Sequence, residues 1–416
     1  MAKKNREIAV GLDIGTTKVV VLIGKRNMKG KIEIVGFGKT ESLGVQNGMI
    51  SDMAQSINSI CIAVENASKS CGIIFNEVLA GIAGQYIESL QHSKSLKRHK
   101  PEKSIQEYEL NQMINDVTAL PMQPGNQILN ILPQQYIVDG QSTMNPIGLC
   151  GSDLVVNYHL VLGKIAAIKN VGRSILDSKL KLIGLTLEPL ASSAAILSDQ
   201  ERHNGVVLVD IGGGTTDIAV FKDGFIRHNA VIPMGGVLIT KDIQEEFKIL
   251  FHQAEALKKK VGSATPIAVR ENRNVILPPF KGRKELKISI KHLAEVIEKR
   301  LRKIIQEIVY EIEHCGMENP QKALISGIVL TGGGSLLNHV VPFFEFHTHM
   351  ETKIGQPSHL LAAQEKFNLD SPIYSTAIGL LNEALFHHDS KPKRKRSKKH
   401  YTVILEEKIS QLIEQV

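Results

Sequence analysis

One sequence motif occurs twice in this chain, about two hundred residues apart, and each copy follows an apolar run of strand length. The first copy is Asp13-Ile14-Gly15-Thr16-Thr17-Lys18, and the second is Asp210-Ile211-Gly212-Gly213-Gly214-Thr215-Thr216-Asp217. A β-branched apolar run also follows each copy, so both copies predict a strand–turn–strand hairpin with an aspartate at the end of its first strand. Two such hairpins facing each other imply two similar domains that hold one nucleotide.

The residue types in the two turns suit a phosphate group and its metal ion. Glycines let backbone N–H groups close on phosphate oxygens, and threonine hydroxyls add further donors. Asp13 and Asp210 supply hard oxygen ligands, through water, for Mg²⁺. One glycine-rich turn alone is equally typical of an ordinary tight hairpin, but recurrence in matching context favours the phosphate site. The candidate phosphate-binding residues are Gly15, Thr16, Thr17, Lys18, Gly212, Gly213, Gly214, Thr215 and Thr216.

Other phosphate and metal devices are missing from the sequence. There is no Walker-type loop, and no Gly-x-Gly-x-x-Gly opens a helix after a strand. The four cysteines show no metal-ligand spacing, so reduced thiols are expected. The longest apolar runs are of strand length, which predicts no transmembrane helix, and Asp13 and Lys18 interrupt the N-terminal apolar stretch, so no signal peptide is expected.

The length and the charge distribution limit the classes of protein to which this chain can belong. A chain of 416 residues is long enough for two domains or more. The formal net charge is +8, but the basic run between Lys391 and Lys399 carries seven of these charges and leaves about +1 for the rest. The charge of the globular body therefore gives no indication of nucleic-acid binding.

Apolar periodicity predicts alternating strands and helices with two insertions, which indicates a mixed-sheet α/β fold. Three strands are expected within residues 6–40, and a helix begins at Glu188-Pro189. A small α/β insertion is expected at 85–163, and a second insertion at 234–302. The other predicted elements are helices at 52–71, 104–118, 165–177 and 289–315, and strands at 77–83, 128–138, 154–161, 182–187 and 323–331.

A third glycine cluster, Gly332-Gly333-Gly334-Ser335, follows an apolar strand and precedes a helix. Bare backbone at this point suits the flat surface of an adenosine, although glycine also marks ordinary strand-to-helix turns. The order of the motifs resembles the actin-like ATPase superfamily: phosphate turn, linking helix with Glu188, second phosphate turn, adenosine turn, and a second linking helix at 375–379. Small residues in the two linking helices would let the domains rotate about the nucleotide.

Within that superfamily the chain resembles the FtsA family of bacterial cell division proteins over roughly residues 5–385. The stretches 132–136 (Leu-Pro-Gln-Gln-Tyr) and 145–149 (Asn-Pro-Ile-Gly-Leu) resemble the family's inserted subdomain, and 190–193 (Leu-Ala-Ser-Ser) also matches. Residues 254–258 resemble the nucleotide-flanking helix of prokaryotic actins and chaperone ATPases, and by that match Glu255 and Lys258 contact the nucleoside. The same two residues are also compatible with a solvated ion pair on one helix face.

The resemblance implies an actin-like (ribonuclease H-like) two-domain fold with the family's inserted subdomain and a C-terminal amphipathic helix. The implied units are a first actin-like domain at 1–84 plus 164–195, the inserted subdomain at 85–163, a second actin-like domain at 196–233 plus 303–372, an insertion facing FtsZ at 234–302, a linking helix at 373–386, a basic linker at 387–401 and an amphipathic helix at 402–416.

The resemblance also implies the function. Proteins of this family bind ATP, polymerise on the cytoplasmic face of the inner membrane, bind the C-terminal tail of FtsZ and recruit later division proteins. Binding alone or slow hydrolysis is expected, with Glu188 orienting an attacking water and Asp13 and Asp210 holding the Mg²⁺ shell. The rival functions are a small-molecule kinase and a cytoplasmic actin-like filament. No motif for a kinase base is present, and the insertion at 85–163 disfavours the filament.

The C-terminal segment carries two weak membrane signals. In helical projection one face of residues 401–416 is apolar, and a basic cluster precedes it, a combination that holds proteins on anionic lipid. The helix is net negative and lacks Trp and Phe, so docking on a partner helix, a disordered basic tail and a nucleic-acid patch remain alternatives. The candidate membrane residues are Lys393, Arg394, Lys395, Arg396, Leu405, Ile409, Leu412, Ile413 and Val416.

Overall fold

The strands and helices follow from a computed structural model, which describes residues 8–270, 273–277, 285–362, 367–390 and 403–404. In chain order the strands are β1 (Ala9–Ile14), β2 (Lys18–Arg26), β3 (Ile32–Glu41), β4 (Val45–Gln46), β5 (Met49–Ile50), β6 (Glu77–Ile82), β7 (Ile87–Lys97), β8 (Asn126–Val138), β9 (Gln141–Thr143), β10 (Asp153–Lys164), β11 (Lys181–Leu187), β12 (Val206–Ile211), β13 (Thr216–Lys222), β14 (Phe225–Ile232), β15 (Asn274–Leu277), β16 (Leu286–Ser289), β17 (Ile328–Thr331), β18 (Thr352–Ile354) and β19 (Val403–Ile404).

The helices alternate with these strands, as the mixed α/β prediction requires. They are α1 (Met53–Cys71), α2 (Glu107–Thr118), α3 (Ile165–Asp177), α4 (Glu188–Ile196), α5 (Asp199–Asn204), α6 (Gly236–Phe247), α7 (Phe251–Val261), α8 (Ile290–Glu313), α9 (Pro320–Ala323), α10 (Val340–Thr348) and α11 (Ser375–Ser390). No helix within the described residues is both long enough and apolar enough to cross a membrane.

Two five-stranded sheets share one plan. In the first, the order is β11-β6-β1-β2-β3, and in the second it is β14-β13-β12-β17-β18. Each contains a three-stranded antiparallel meander, and two parallel strands extend it from the meander's first strand. All residues of β1 and β12 are buried, because helices cover both faces and favour continuous apolar strands. The hairpins predicted from the repeated motif are confirmed as β1–β2 and β12–β13.

Helix α1 shows how local sequence and packing agree. Its N-terminus is capped by Asp52, whose carboxylate accepts a hydrogen bond from the Gln55 backbone N–H at 3.0 Å. Its C-terminus ends at Gly72 in the left-handed conformation, with φ +70°. Gly38 of β3 lets the helix lie directly on the sheet, because a Cβ there would come within 2.0 Å of the Ala63 carbonyl oxygen.

The insertion forms its own layer, with sheet order β19-β8-β10-β7 and helix α2 packed against β7 and β8. Its core includes Met113, Ile131 and Tyr158, which are buried. Strand β7 was not predicted, because it is an edge strand whose residues are mostly polar and exposed in alternation. The sequence there suggested only a basic, polar stretch.

The chain's C-terminal part differs from the predicted layout in two places. Helix α11 continues to Ser390, into the segment expected to be a linker from residue 387. Residues Val403–Ile404 form a short strand, antiparallel to Asn130 and Ile131 of β8, where a helix was expected from residue 402. The remainder of the predicted basic linker and amphipathic helix, with all nine candidate membrane residues, lies outside the described residues.

Candidate functional site

The first turn, residues 13–18, closes tightly between β1 and β2. The Gly15 N–H donates to the Lys18 carbonyl oxygen at 3.0 Å. The Lys18 ammonium lies 3.4 Å from the Asp13 carboxylate. The hydroxyl oxygen of Thr16 accepts from the Gly48 N–H at 3.2 Å, which ties the turn to the β4–β5 hairpin. We call residues 13–18 the first clasp.

The second clasp, residues 210–217, repeats this closure between β12 and β13. The Gly212 N–H donates to the Thr215 carbonyl oxygen at 2.9 Å. The N-terminus of α6 is fixed to the same turn, because the Gly236 N–H donates to the Gly212 carbonyl at 2.9 Å. The Thr216 hydroxyl donates to the Met234 carbonyl at 2.8 Å. The first N–H groups of α6 therefore hold the helix against carbonyl oxygens of the turn.

The two clasps meet tip to tip. A Cβ added to Gly213 would come within 2.3 Å of the Thr17 methyl carbon, and one added to Gly214 would come within 2.5 Å of the Thr16 hydroxyl oxygen. Only glycine fits at these two positions. The hairpins predicted to face each other from the sequence do so.

Four carboxylates converge behind the tips, on Asp13, Glu188, Asp210 and Asp217. Asp210 and Asp217 are direct cross-strand partners in the β12–β13 hairpin. Glu188 begins α4 and lies against Gly81, where a Cβ would come within 3.0 Å of its carboxylate oxygen. The Thr376 hydroxyl of α11 donates to Asp210 at 3.2 Å. Elements from both sheets and both linking helices thus supply one acidic cleft.

The surroundings of these carboxylates favour their protonated form or the binding of a cation beside them. Burial, and then the carboxylates of Asp13, Asp217 and Asp210, raise the pKa of Glu188 well above its usual range. Burial raises the pKa of Asp210 to about 6, against the opposing effect of Lys18. Burial and the neighbouring Asp210 raise the pKa of Asp217 to about 8. Burial disfavours the charged Lys18, but the surrounding carboxylates outweigh it and raise its pKa.

This donor set fits a hydrated divalent cation with bound phosphates. Hard carboxylate oxygens are the ligands that Mg²⁺ prefers, and it usually keeps several waters. One oxygen of Asp217 is buried and has no hydrogen-bond partner among the described residues. No group of three or more potential metal-ligating side chains meets the geometry of a direct metal site in the described part of the chain. Asp13 and Asp210 are the residues that would hold the ion, and their binding to it through water stays a prediction from the sequence.

The Glu255–Lys258 pair lies beside the second clasp, on α7. The Lys258 ammonium is 2.7 Å from Glu255 and donates at 2.8 Å to both the Gly236 carbonyl and the Thr240 hydroxyl. Its side chain is only 14% exposed. The pair thus connects α7 to the N-terminal turn of α6, in a setting less solvated than an ordinary surface ion pair.

The third glycine turn packs against the second clasp. Gly332 has φ +76°, and a Cβ there would come within 2.3 Å of an Asp210 carboxylate oxygen. Gly333 is exposed and has open space where a Cβ would lie. The Ser335 hydroxyl is buried and donates to the Gly332 carbonyl at 2.8 Å, so it closes the turn from inside. Of the four candidate residues here, Gly333 is the one whose backbone faces open space.

Two residues of the cleft had no role assigned from the sequence. Asp217 is the last residue of the second motif, and its position opposite Asp210 could have been found from hairpin register alone. Tyr86, just before β7, is buried, and the carboxylates of Glu188 and Asp217 act on its hydroxyl. No local pattern marks Tyr86, because its partners are distant in sequence.

Comparison with protein families gives two matches. The family described as "Cell division protein FtsA" matches residues 207–379, and the one described as "SHS2 domain inserted in FTSA" matches residues 84–162. The second match coincides with the inserted layer described above.

Individual relatives match nearly the whole chain. Cell division protein FtsA of Neisseria meningitidis is 35% identical over 385 residues, which cover 92% of this chain and 91% of the relative. Cell division protein FtsA of Escherichia coli K12 is 31% identical over 383 residues, covering 91% and 90%. The protein of the same name from Borreliella burgdorferi is 31% identical over 408 residues, covering 98% and 97%.

Solved structures with the same fold share little sequence. A PilM–PilN type IV pilus biogenesis complex gives a TM-score of 0.66 at 14% identity, covering 91% of this chain and 98% of that one. MreB5 of Spiroplasma citri bound to ADP gives 0.52 at 16% identity, covering 90% and 94%. A MamK double helical filament gives 0.52 at 12% identity, covering 92% and 99%. These likenesses establish the actin-like fold.

Proposed function

This chain belongs to the FtsA family of cell division proteins, and from that premise we propose that it is an ATP-dependent subunit of a membrane-attached division polymer. In this role it binds ATP with Mg²⁺, polymerises at the cytoplasmic face of the inner membrane, anchors FtsZ and recruits later division proteins. The observation that carries the proposal is the meeting of two phosphate clasps at four buried or partly buried carboxylates.

The nucleotide lies between the clasps in this proposal. Backbone N–H groups of the two turns, the hydroxyls of Thr16 and Thr17, and Lys18 would bind its phosphates, while Asp13 and Asp210 would hold the hydrated Mg²⁺. The hydroxyls of Thr215 and Thr216 donate within the protein, to Asp217 and to the Met234 carbonyl. Glu255 and Lys258 contact the nucleoside, and the turn at 332–335 carries the adenosine at Gly333. Support comes from the shared position of α7 and the third glycine turn beside the second clasp.

Hydrolysis is slow in this proposal, and nucleotide binding sets the state of the polymer. Glu188 accepts a hydrogen bond from the attacking water and orients it, because it begins α4 inside the acidic cleft. Mg²⁺, when bound, supplies charge neutralisation to the phosphates. The chain's own contribution to the rate is limited to holding these groups in position.

FtsZ docks on the second half of the molecule, in the region 234–302 and along the helix that continues from it. Helix α8 begins in this region, and a groove of about 380 Å³ follows its later turns. Its lining combines apolar side chains with charged and polar ones, among them Arg302. The lining residues are Arg302, Ile305, Gln306, Val309, Tyr310, Glu313 and His347.

The two rival functions have no supporting feature of comparable weight. A small-molecule kinase of this fold needs a base aimed at its substrate, and in this proposal Asp13 and Asp210 serve Mg²⁺ while Glu188 serves the water. A cytoplasmic filament would need neither the inserted layer at 84–162 nor the basic C-terminal run.

Nucleotide binding by the Asp210→Ala variant tests the site. We expect the full-length protein to bind ATP only with Mg²⁺, and the variant to lose at least about tenfold in affinity, because a charge-bearing ligand of the ion is removed. Glu65→Ala, on the exposed face of α1, is the matched control and leaves affinity unchanged. Unchanged ATP affinity in Asp210→Ala would overturn the site assignment.

Cosedimentation with an FtsZ tail peptide, with and without Arg302→Glu, tests the docking region.

A further inference from the structure

Tyr86 is a buried tyrosine whose hydroxyl is not used by the fold. The residue is 5% exposed, and its hydroxyl oxygen has no hydrogen-bond partner among the described residues. A buried polar group left unpaired costs roughly 1–3 kcal/mol. Phenylalanine would avoid that cost at the same position, so the hydroxyl needs a reason beyond packing.

The hydroxyl lies in the field of two carboxylates. Burial raises the pKa of Tyr86 most, and the charges of Glu188 and Asp217 raise it further. The hydroxyl therefore stays protonated and is a hydrogen-bond donor. One oxygen of Asp217 is likewise buried without a partner. A donor and an acceptor, both unsatisfied, thus line the same acidic cleft.

The backbone around Tyr86 is fixed to the first clasp. Gly84 has φ +133°, and a Cβ there would come within 2.6 Å of the Tyr86 ring. Gly48 packs on Gly84, since a Cβ on Gly48 would lie 2.9 Å from the Gly84 Cα. The Gly48 N–H in turn donates to Thr16 of the first clasp at 3.2 Å. A shift of that clasp is therefore transmitted to the residues that enter β7.

The inserted layer is fixed at a second place to β14, the neighbour of the strand that carries Asp217. His159 of β10 is hydrogen-bonded to Asn229 of β14 at 2.5 Å. The Gln134 amide of β8 donates to the Ile226 carbonyl at 2.7 Å. Strand β14 pairs directly with β13, where Asp217 lies opposite Val231. The inserted layer thus touches both halves of the cleft.

We propose that Tyr86 is a positioning residue that couples the inserted subdomain to the nucleotide cleft. With nucleotide between the clasps, its hydroxyl donates to the carboxylate of Asp217, directly or through one water, and holds the start of β7 against the cleft. The inserted subdomain then changes its mobility with nucleotide state. The inference rests on the proposed nucleotide site and adds a residue and a route to it.

Hydrogen exchange of the full-length protein, with and without AMPPNP and Mg²⁺, tests this coupling. In the wild type we expect AMPPNP to slow exchange in β7 by about fivefold or more. Tyr86→Phe removes only the hydroxyl, so it should still bind AMPPNP within about threefold of the wild-type affinity and slow β7 exchange by less than about twofold. Tyr158→Phe, which alters the core of the inserted layer away from the cleft, is the matched control and keeps the full effect.

A second variant separates coupling from packing. Asp217→Ala removes the acceptor, and the double variant with Tyr86→Phe should lose no more coupling than either single change, because both remove the same hydrogen bond. Full nucleotide-dependent slowing in Tyr86→Phe, or additive losses in the double variant, would overturn the inference and leave the nucleotide site standing. Failure of the wild type to bind AMPPNP would overturn the proposed function, and this inference with it.

Discussion

At the scale of single residues, Lys18 is a cation that lies in the acidic cleft, beside Asp13. It pairs with Asp13, and the charges of Asp210 and Glu188 also act on it. Its side chain is 23% exposed, so water screens these interactions only in part. Without bound Mg²⁺, the charge balance of the cleft depends heavily on this lysine.

Lys18→Met should therefore destabilise the nucleotide-free protein by about 3 kcal/mol, because buried carboxylates lose a partner. Millimolar Mg²⁺ should restore part of the lost stability, because the ion would neutralise the same carboxylates. Urea unfolding with and without MgCl₂ measures both effects. Lys69→Met, which breaks an exposed pair with Glu65, is the control and should change stability by less than about 1 kcal/mol. A Lys18→Met variant as stable as the wild type would contradict this view of the cleft.

His159 should make stability depend on pH. Burial lowers its pKa to about 4, with His228 adding to the shift and the Asn229 hydrogen bond opposing it. The unfolded chain binds a proton near pH 6.5 and the folded chain does not, so this contribution is present above pH 6.5 and is lost as the pH falls towards 4. It amounts to about 3 kcal/mol.

His159→Gln should flatten the stability profile between pH 6.5 and 4, whatever its effect at pH 7.5. Urea unfolding at several pH values measures the slope. His203→Gln, on the short helix α5, is the comparison and should leave the slope as it is in the wild type. An unchanged slope in His159→Gln would show that another group controls acid sensitivity.

The clasp residues were predictable one by one, whereas their neighbours in the cleft were not. Glycines, threonines and aspartates of the two motifs are local signals, since their chemistry and spacing are visible in eight residues. Tyr86 meets Glu188 and Asp217 only through the tertiary fold. The hydrogen bond from the Ser335 hydroxyl to the Gly332 carbonyl also depends on the geometry of the turn. The spacing of the glycines in the sequence does not specify that geometry.

At the scale of elements, the linking helices α4 and α11 lie in backbone contact. A Cβ added to Gly379 would come within 1.9 Å of the Ala191 carbonyl oxygen. Gly11 of β1 shows the same closeness to α11, at 2.7 Å from the Leu381 nitrogen. Small residues allow these backbones to approach this closely. The rotation of the two domains about this contact stays a prediction from the sequence.

Gly379→Ala should separate α4 from α11 and lower stability by about 3 kcal/mol, since the clash is with backbone and no side chain can move aside. Thermal and urea unfolding measure the loss. Gly333→Ala is the matched control, because its added methyl group meets open space, and it should leave stability unchanged. The same control should weaken ATP binding if the adenosine lies on Gly333. A Gly379→Ala variant of wild-type stability would contradict close packing of the linking helices.

Element prediction succeeded where apolar residues repeat and failed at exposed edges. Helix α8 buries Leu293, Ile297, Leu301 and Ile304 along one face, and this spacing is visible in the sequence. Strand β7 pairs along eleven positions with β10 but presents few apolar residues, so only the pairing partner identifies it. Strand β19 could not be predicted either, since a strand of two residues is too short to show an apolar periodicity.

At the scale of the whole molecule, the proposed function gives the duplicated sheets and the C-terminal segment separate tasks. The duplication was predictable because the motif itself is repeated. The contacts that the inserted layer makes with β14 were not, because they join residues 70 and 92 positions apart through polar side chains. Nucleotide binding and membrane attachment should therefore be separable by variants at opposite ends of the chain.

Removal of residues 405–416 should abolish flotation with vesicles containing anionic lipid while ATP affinity and thermal stability stay at wild-type values. The deletion keeps β19, so the edge of the inserted sheet remains paired.

Asp210→Ala should give the opposite result in assays of the monomeric protein, with ATP binding lost and flotation retained. Raising the salt concentration should weaken flotation of the full-length protein if the basic run from Lys391 to Lys399 contributes to lipid binding, because salt screens charge attraction to anionic lipid. Flotation that survives the deletion but fails in high salt would assign the anchor to the basic run alone, and flotation that survives both would reject a C-terminal anchor.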